Sequence, residues 1–425
     1  MKRVTLGQSA TREITVSRAT IAVYTTFFVV GFVFASWASR LVAVRDALAF
    51  TPAEMGRLLL VGAIGSIVAL PVSGWVVQRI GGRRTIVGFS ILMCLGYGGT
   101  AATVGSVPLV VTAILLLVGG VGMGVMDSAM NLEGARVETV IGRSIMPRFH
   151  GFFSLGTMGG ALVGAGLARL GVSLPWHVGT AILAGFVVVQ FAARSVLPAG
   201  YGITDIPVAG DVPQHSDQPA TQDPAPSVWQ AWGERHTWLI GVVILAAALT
   251  EGAGNDWIAL GVSDGFDVSE SWGAFALFVF LTFMTIIRFL GTSVVDTFGR
   301  VAVLRACGIS AIVGLMVYAL APTLWLAVIG AAMWGAGASL GFPLGMSAAS
   351  DDPVRAPARV AVVATIGYTA FFIGPPLLGE LADHFGYRLA MLVIVVPAVL
   401  SVLVAGVARR REAGTSTVGH AASTR

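Results

Sequence analysis

The chain has 425 residues, of which 56% are hydrophobic and only 11% charged, and its mean hydropathy is +0.83. A soluble domain carries about 25% charged residues, so these figures exclude an ordinary water-soluble globule and point to a chain that crosses the membrane many times. The net charge of +4 is spread over loops with no basic stripe interleaved with aromatics, which excludes nucleic acid as an expected partner.

A spanning helix needs about 20 mostly apolar residues. In chain order such runs fall at 19–41, 55–78, 84–104, 108–131, 149–170, 176–197, 237–261, 271–296, 301–321, 323–348, 359–383 and 387–408. Basic residues precede the first run, but it is long and eleven more follow, which predicts an anchor and not a cleaved signal. The 54 glycines suit close helix contacts in lipid, where small residues let backbones approach. Cys94 and Cys307 lie inside apolar runs and read as small apolar residues, not as a disulfide or a metal pair.

The stretch 198–236, which includes DVPQHSDQPATQDPAPS, breaks the pattern. It cannot bury enough apolar surface to fold and reads as a disordered cytoplasmic linker. The expected organisation is a tail (1–18), a six-helix bundle (19–197), the linker (198–236), a second six-helix bundle (237–408) and a tail (409–425). Of the 26 Lys and Arg residues, Arg40, Arg45, Arg57, Arg169 and Arg388 fall on the side away from the linker and Arg288 falls within a span. The rest lie on the linker side, which predicts that both termini are cytoplasmic.

The chain repeats itself. GWVVQRIGGRR begins at Gly74 and TSVVDTFGRVA at Thr292, and further copies read GAGLARLG from Gly164 and GELADHFG from Gly379. In each copy a small first residue precedes a glycine (Gly81, Gly171, Gly299, Gly386) by the same interval, and the fifth position is Gln78, Ala168, Asp296 or Asp383. Each copy closes the second helix of a three-helix unit, two on each side of the membrane, which is the signature of a 3+3 inverted repeat within each half. The small residue lets two helices touch, the glycine permits a tight turn, and a charge at the helix end can clamp a neighbouring helix terminus.

On these features the chain resembles the major facilitator superfamily over its whole length. That family carries G-x-x-x-D-R-x-G-R-R between helices 2 and 3. Here Gly74, Arg79, Gly81, Arg83 and Arg84 match, whereas Gln78 replaces the acid. The second-half copy keeps Asp296, Gly299 and Arg300 but has Thr297 in place of Arg. The resemblance implies an all-α fold of two pseudo-symmetric six-helix bundles, a site lined by helices 1, 4, 7 and 10, and a gate whose charge lock rests mainly on the second half.

Polar residues inside spans mark candidate sites, because charge in hydrocarbon is costly. The segment DSAMN resembles ETAAN in helix 4 of fucose–proton symporters, so Asp127 corresponds to their carboxylate and Asn131 to their asparagine. Those symporters also have an acid in helix 1, where this chain has Ser36, Trp37, Ser39 and Arg40. A bacterial inner-membrane branch with SWAAR, MDxAMN and EGAxxDW segments is more similar still. In LTEGAGNDWIAL, Glu251 and Asn255 share a helix face, and Glu251 is a second candidate for proton or substrate handling, while Asp256 is expected nearer the outer water. Arg288 either binds an anionic substrate group or pairs with an acid such as Asp127. Trp37, Trp257, Trp334 and Tyr368 are candidate cavity aromatics.

GGVGMG lies in an apolar helix and not between a strand and a helix, so it is no dinucleotide loop. No catalytic triad or metal-ligand spacing is present, and neither enzymatic activity nor a cofactor is expected. The reading is a monomeric secondary active transporter working by alternating access, with proton-coupled uptake of a small polar, sugar-like solute. The alternatives are drug or metabolite efflux by proton antiport, and a non-transporting membrane sensor. Helix 5 lacks the Gly-Pro pair frequent in antiporters of the superfamily, which favours uptake.

Overall fold

A computed structural model describes residues 2–143, 145–198, 228–352 and 354–409. The regular elements among them are all helical. Twelve helices are long and apolar enough to span a membrane: α1 (Ile14–Ala38), α2 (Pro52–Ile80), α3 (Gly82–Thr103), α4 (Leu109–Ile141), α5 (Met146–Arg169), α6 (Leu174–Ser195), α7 (Arg235–Gly265), α8 (Glu270–Phe298), α9 (Arg300–Leu320), α10 (Leu324–Ala349), α11 (Ala356–Phe385) and α12 (Tyr387–Ala408). Local signals fix their ends. The α2 helix starts on a capping box in which the Glu54 N–H donates to Thr51 Oγ1 and the Thr51 N–H to Glu54 Oε2, with Pro52 in the first turn. The α10 helix is interrupted at Ser339–Leu340.

The repeat is visible in the backbone. Gly81, Gly171, Gly299 and Gly386 all have positive φ, between 71° and 86°. Three of them share ψ near 150°, a region that essentially only glycine occupies. The turn after the second helix of every three-helix unit therefore needs the residue that the repeat supplies.

Helices α1–α6 form one bundle and α7–α12 the other, meeting along two seams, α2 against α11 and α5 against α8. Small residues set the approach within a bundle. A Cβ on Gly156 or Gly160 of α5 would lie 2.1 or 2.3 Å from the Phe28 or Phe32 carbonyl of α1, so neither position tolerates a larger residue without moving a helix. The linker differs in part from expectation. Residues 199–227 lie outside the described residues, but Val228–Gly233 is helical. It docks by way of buried Ala231, a Trp232–Trp238 ring contact and Glu234, which bridges Arg355 and Arg359. Below, the face that bears the two ends of the linker is the linker face, and the opposite one the far face.

Candidate functional site

Between the bundles lies a cavity of about 300 Å³, walled by α1, α2, α3, α4, α7 and α11. Its polar lining includes Ser66, Asp127, Asn255 and Asp256, and its aromatic lining Trp37, Tyr97, Tyr368 and Phe371. Among the described residues, no arginine, lysine or histidine lines it. The α10 helix contributes nothing to the wall, contrary to the expectation drawn from the family, and α11 takes that place. Trp334 of α10 shows why. It is fully buried against Phe280 and Tyr318 and donates from Nε1 to the Thr250 carbonyl at 3.0 Å, so it faces the interior of the second bundle.

Asp127 opens onto the cavity and is accessible to water. Asn131, one turn along α4, donates from Nδ2 to the Asp127 carbonyl at 2.8 Å and to Oδ1 at 3.3 Å. That bond orients the carboxyl without neutralising it. The Tyr368 hydroxyl lies within electrostatic range of Asp127, and Tyr97 within range of Asp256. Asp256 has no hydrogen-bond or ion-pair partner among the described residues and lines the cavity beside Gly252 and Asn255. The Asn255 Oδ1 is buried without a donor. Counting helix rise from the far-face ends, Asp256 sits about 14 Å down α7 and Asp127 about 27 Å down α4. The two carboxylates thus occupy different depths of one chamber.

The structure reverses the roles expected of Glu251 and Asp256, two of the three acids of α7. Glu251 is off the cavity and paired with Arg288, which donates from Nη2 to Glu251 Oε2 at 2.7 Å and from Nε to the Ser339 carbonyl at 3.1 Å. Arg288 therefore pairs with Glu251, not with Asp127, and does not reach the lining. Asp256 is no helix-end residue at the outer water. It is nine residues short of the end of α7 and part of the wall. Trp257 is likewise buried in the core. Among the other candidates, Trp37, Asn255 and Tyr368 line the cavity, and Asn131 acts through Asp127. Tyr97 was not among the sequence candidates, and Asp256, expected at a helix end, is the i+4 neighbour of Gly252, which also lines the wall.

The two ends of the chamber differ. At the far face the bundles are latched. Arg40, 2% exposed, reaches Glu270 at 3.0 Å and the Val172 carbonyl at 3.0 Å, and Arg45 reaches Asp264 at 3.1 Å. Asp383, the acid of the fourth repeat copy, accepts the Ala53 N–H in the first turn of α2 at 3.4 Å. A Cβ on Gly379 would meet the Pro52 carbonyl at 2.7 Å, and one on Gly56 the Pro375 carbonyl at 2.4 Å.

At the linker face the same motif is unlatched. Asp296, Gln78, Arg79, Arg83 and Arg84 are exposed, and a Cβ on Gly74 would meet nothing within 4 Å. The expected touching of helices at Gly74 does not occur in this conformation. Arg300 pairs instead with Asp351 of its own bundle, at 2.7 and 3.0 Å. Among the described residues, no ion pair joins the bundles at this face. The site is closed at one end by the repeat motif and free of it at the other.

Two six-helix bundles of inverted repeats around a central chamber define a polytopic membrane transporter, not an enzyme. A family model described as Major Facilitator Superfamily matches residues 240–423. An uncharacterised MFS-type transporter of Yersinia pestis is 30% identical over 367 residues, which is 84% of this chain and 87% of the relative. The chain belongs to the major facilitator superfamily. Among solved structures, the nucleoside transporter NupG superposes with a TM-score of 0.70 at 14% identity, covering 91% of this chain and 98% of that one. The E. coli fucose:proton symporter FucP superposes at 0.56 with 17% identity, over 91% and 98% of the two chains. At these identities the likeness is one of fold.

Proposed function

We propose that the protein is a proton-coupled secondary transporter that takes up a small polar solute, and that Asp127 is its proton carrier. The observation that carries this reading is a carboxyl inside the membrane span, open to a chamber latched at one face, oriented by Asn131 and paired with no cation. Alternating access exposes such a group to one side at a time, so it can take up a proton in one state and release it in the other. The Arg and Lys distribution supports a cytoplasmic linker and termini, and with that orientation the conformation described here is inward-facing. Helix α5 without a Gly-Pro pair supports uptake over antiport.

Infrared difference spectra of the reconstituted protein across a pH step test the carrier without a known substrate. A protonated-carboxyl C=O component should appear on acidification, be missing in Asp127→Asn and persist in Glu251→Gln, because Glu251 is held by Arg288. A spectrum unchanged in Asp127→Asn refutes Asp127 as the carrier.

A further inference from the structure

The far-face end of the chamber has a chemistry of its own. Asp256 carries an unpaired carboxylate, and opposite it Trp37 and Tyr97 form a ring pair with centroids 5.6 Å apart. Three arginines around this end are committed elsewhere: Arg40 to Glu270, Arg45 to Asp264 and Asp46, and Arg388 to the carbonyls of Tyr318 and Ala319 and the face of Phe266. Among the described residues the chamber therefore presents two carboxyl groups and no cation. It does hold neutral donors in the Tyr97 and Tyr368 hydroxyls. The Trp257 indole N–H, buried and unpartnered, lines a side cleft of about 10 Å³ that shares Asp256, with room for one water at most.

We propose that the transported solute is a small organic ammonium, bound with its charged nitrogen between Asp256 and the Trp37–Tyr97 pair. The proposal rests on the transport reading above and gives the two acids separate tasks: Asp256 binds substrate and Asp127, deeper in the chamber, carries the proton. Three physical terms point the same way. A carboxyl taken out of bulk water stays ionised only beside a counter-charge, and since the wall supplies none, a cationic solute can fill that place. Aromatic faces attract a cation through their quadrupole, more strongly where water is excluded. An anionic solute would meet two like charges in a low-dielectric chamber and be rejected by the same field. The volume of about 300 Å³ limits the solute to a small molecule.

Matched probe sets test the class on the purified full-length protein. Phenethylamine, 2-phenylethanol and phenylacetate form one set, and glucosamine, glucose and glucuronate another, each varying charge on one skeleton. Thermal stabilisation and quenching of tryptophan fluorescence read binding. At least one ammonium should bind about tenfold or more tightly than its neutral and anionic counterparts, because a charged hydrogen-bond pair is at stake. Asp256→Asn should weaken that ammonium by about tenfold or more, and by more than Asp127→Asn weakens it. Trp37→Leu, which keeps every carboxylate, should weaken the ammonium more than its neutral counterpart. Preference for a neutral or anionic member, no binding by any ammonium, or equal binding in Asp256→Asn overturns the proposal. None of those results touches the infrared assignment of Asp127, so the two readings fail separately.

Discussion

Replacing Glu270 by Gln should loosen the far face. In the closed state Glu270 Oε1 lies 3.0 Å from Arg40 Nη2, and the arginine is 2% exposed, with Nε and Nη1 unpartnered. At an effective dielectric of about 20, two charges at that distance attract by roughly 5–6 kcal/mol. Most of this offsets desolvation, and a hydrogen bond to a charged group is worth about 1.5–3 kcal/mol net. Gln keeps the size and one acceptor oxygen, so the loss falls at the lower end, about 1.5 kcal/mol. Once the face opens, both side chains reach water and the pair contributes nothing. The whole loss therefore moves the equilibrium between states, by roughly tenfold toward far-face opening. Spin labels at Ser106 and Thr323, introduced as cysteines after Cys94 and Cys307 are replaced by serine, report the distance across that face by double electron–electron resonance. The longer component should grow in Glu270→Gln and grow again when Asp264→Asn removes the Arg45 partner. Identical distributions in the parent, the single and the double variant would refute the latch.

Two further outcomes follow from the same geometry. Gly56→Ala places a Cβ 2.4 Å from the Pro375 carbonyl, and backbone cannot yield as a flexible side chain does, so α2 and α11 must part. The same label pair should lengthen while the melting temperature holds, since alanine is the better helix former. Arg288→Met leaves the Glu251 carboxyl without its cation inside the span and should cost about 2–4 kcal/mol, lowering the melting temperature. Arg288→Met/Glu251→Leu should recover much of that loss, and no recovery would show that Arg288 acts through other contacts such as the Ser339 carbonyl.

The sequence made the architecture legible because the constraints that set it are local and repeated. Twelve apolar runs each carry their own hydrogen bonds, and a glycine at a fixed interval marks the turn where backbone must enter a region closed to other residues. The site was less legible, and α7 shows the cause. Glu251 and Asp256 are five residues apart, which rotates them by about 140° around the helix. One therefore faces Arg288 and α10, the other the chamber. Sequence spacing gives that angle but not which side is which, because the answer depends on where α8 and α11 pack. Asn255 shares a face with Glu251 by the i, i+4 rule and yet lines the chamber beside Asp256, so it sits on the border between the two environments. Trp334 failed for a related reason: an indole N–H in a membrane can be satisfied by a backbone carbonyl as well as by a cavity, and here Thr250 supplies one. The gate adds a constraint that no single sequence position reveals. The same motif occurs at both faces, but a rocking pair of bundles can close only one at a time, so Asp383 is engaged while Asp296 is bare. The motif's four copies encode the two states together, and which copy is latched is a property of the conformation. On the proposed reading, that asymmetry would expose Asp127 to one compartment in this state and to the other after the bundles rock.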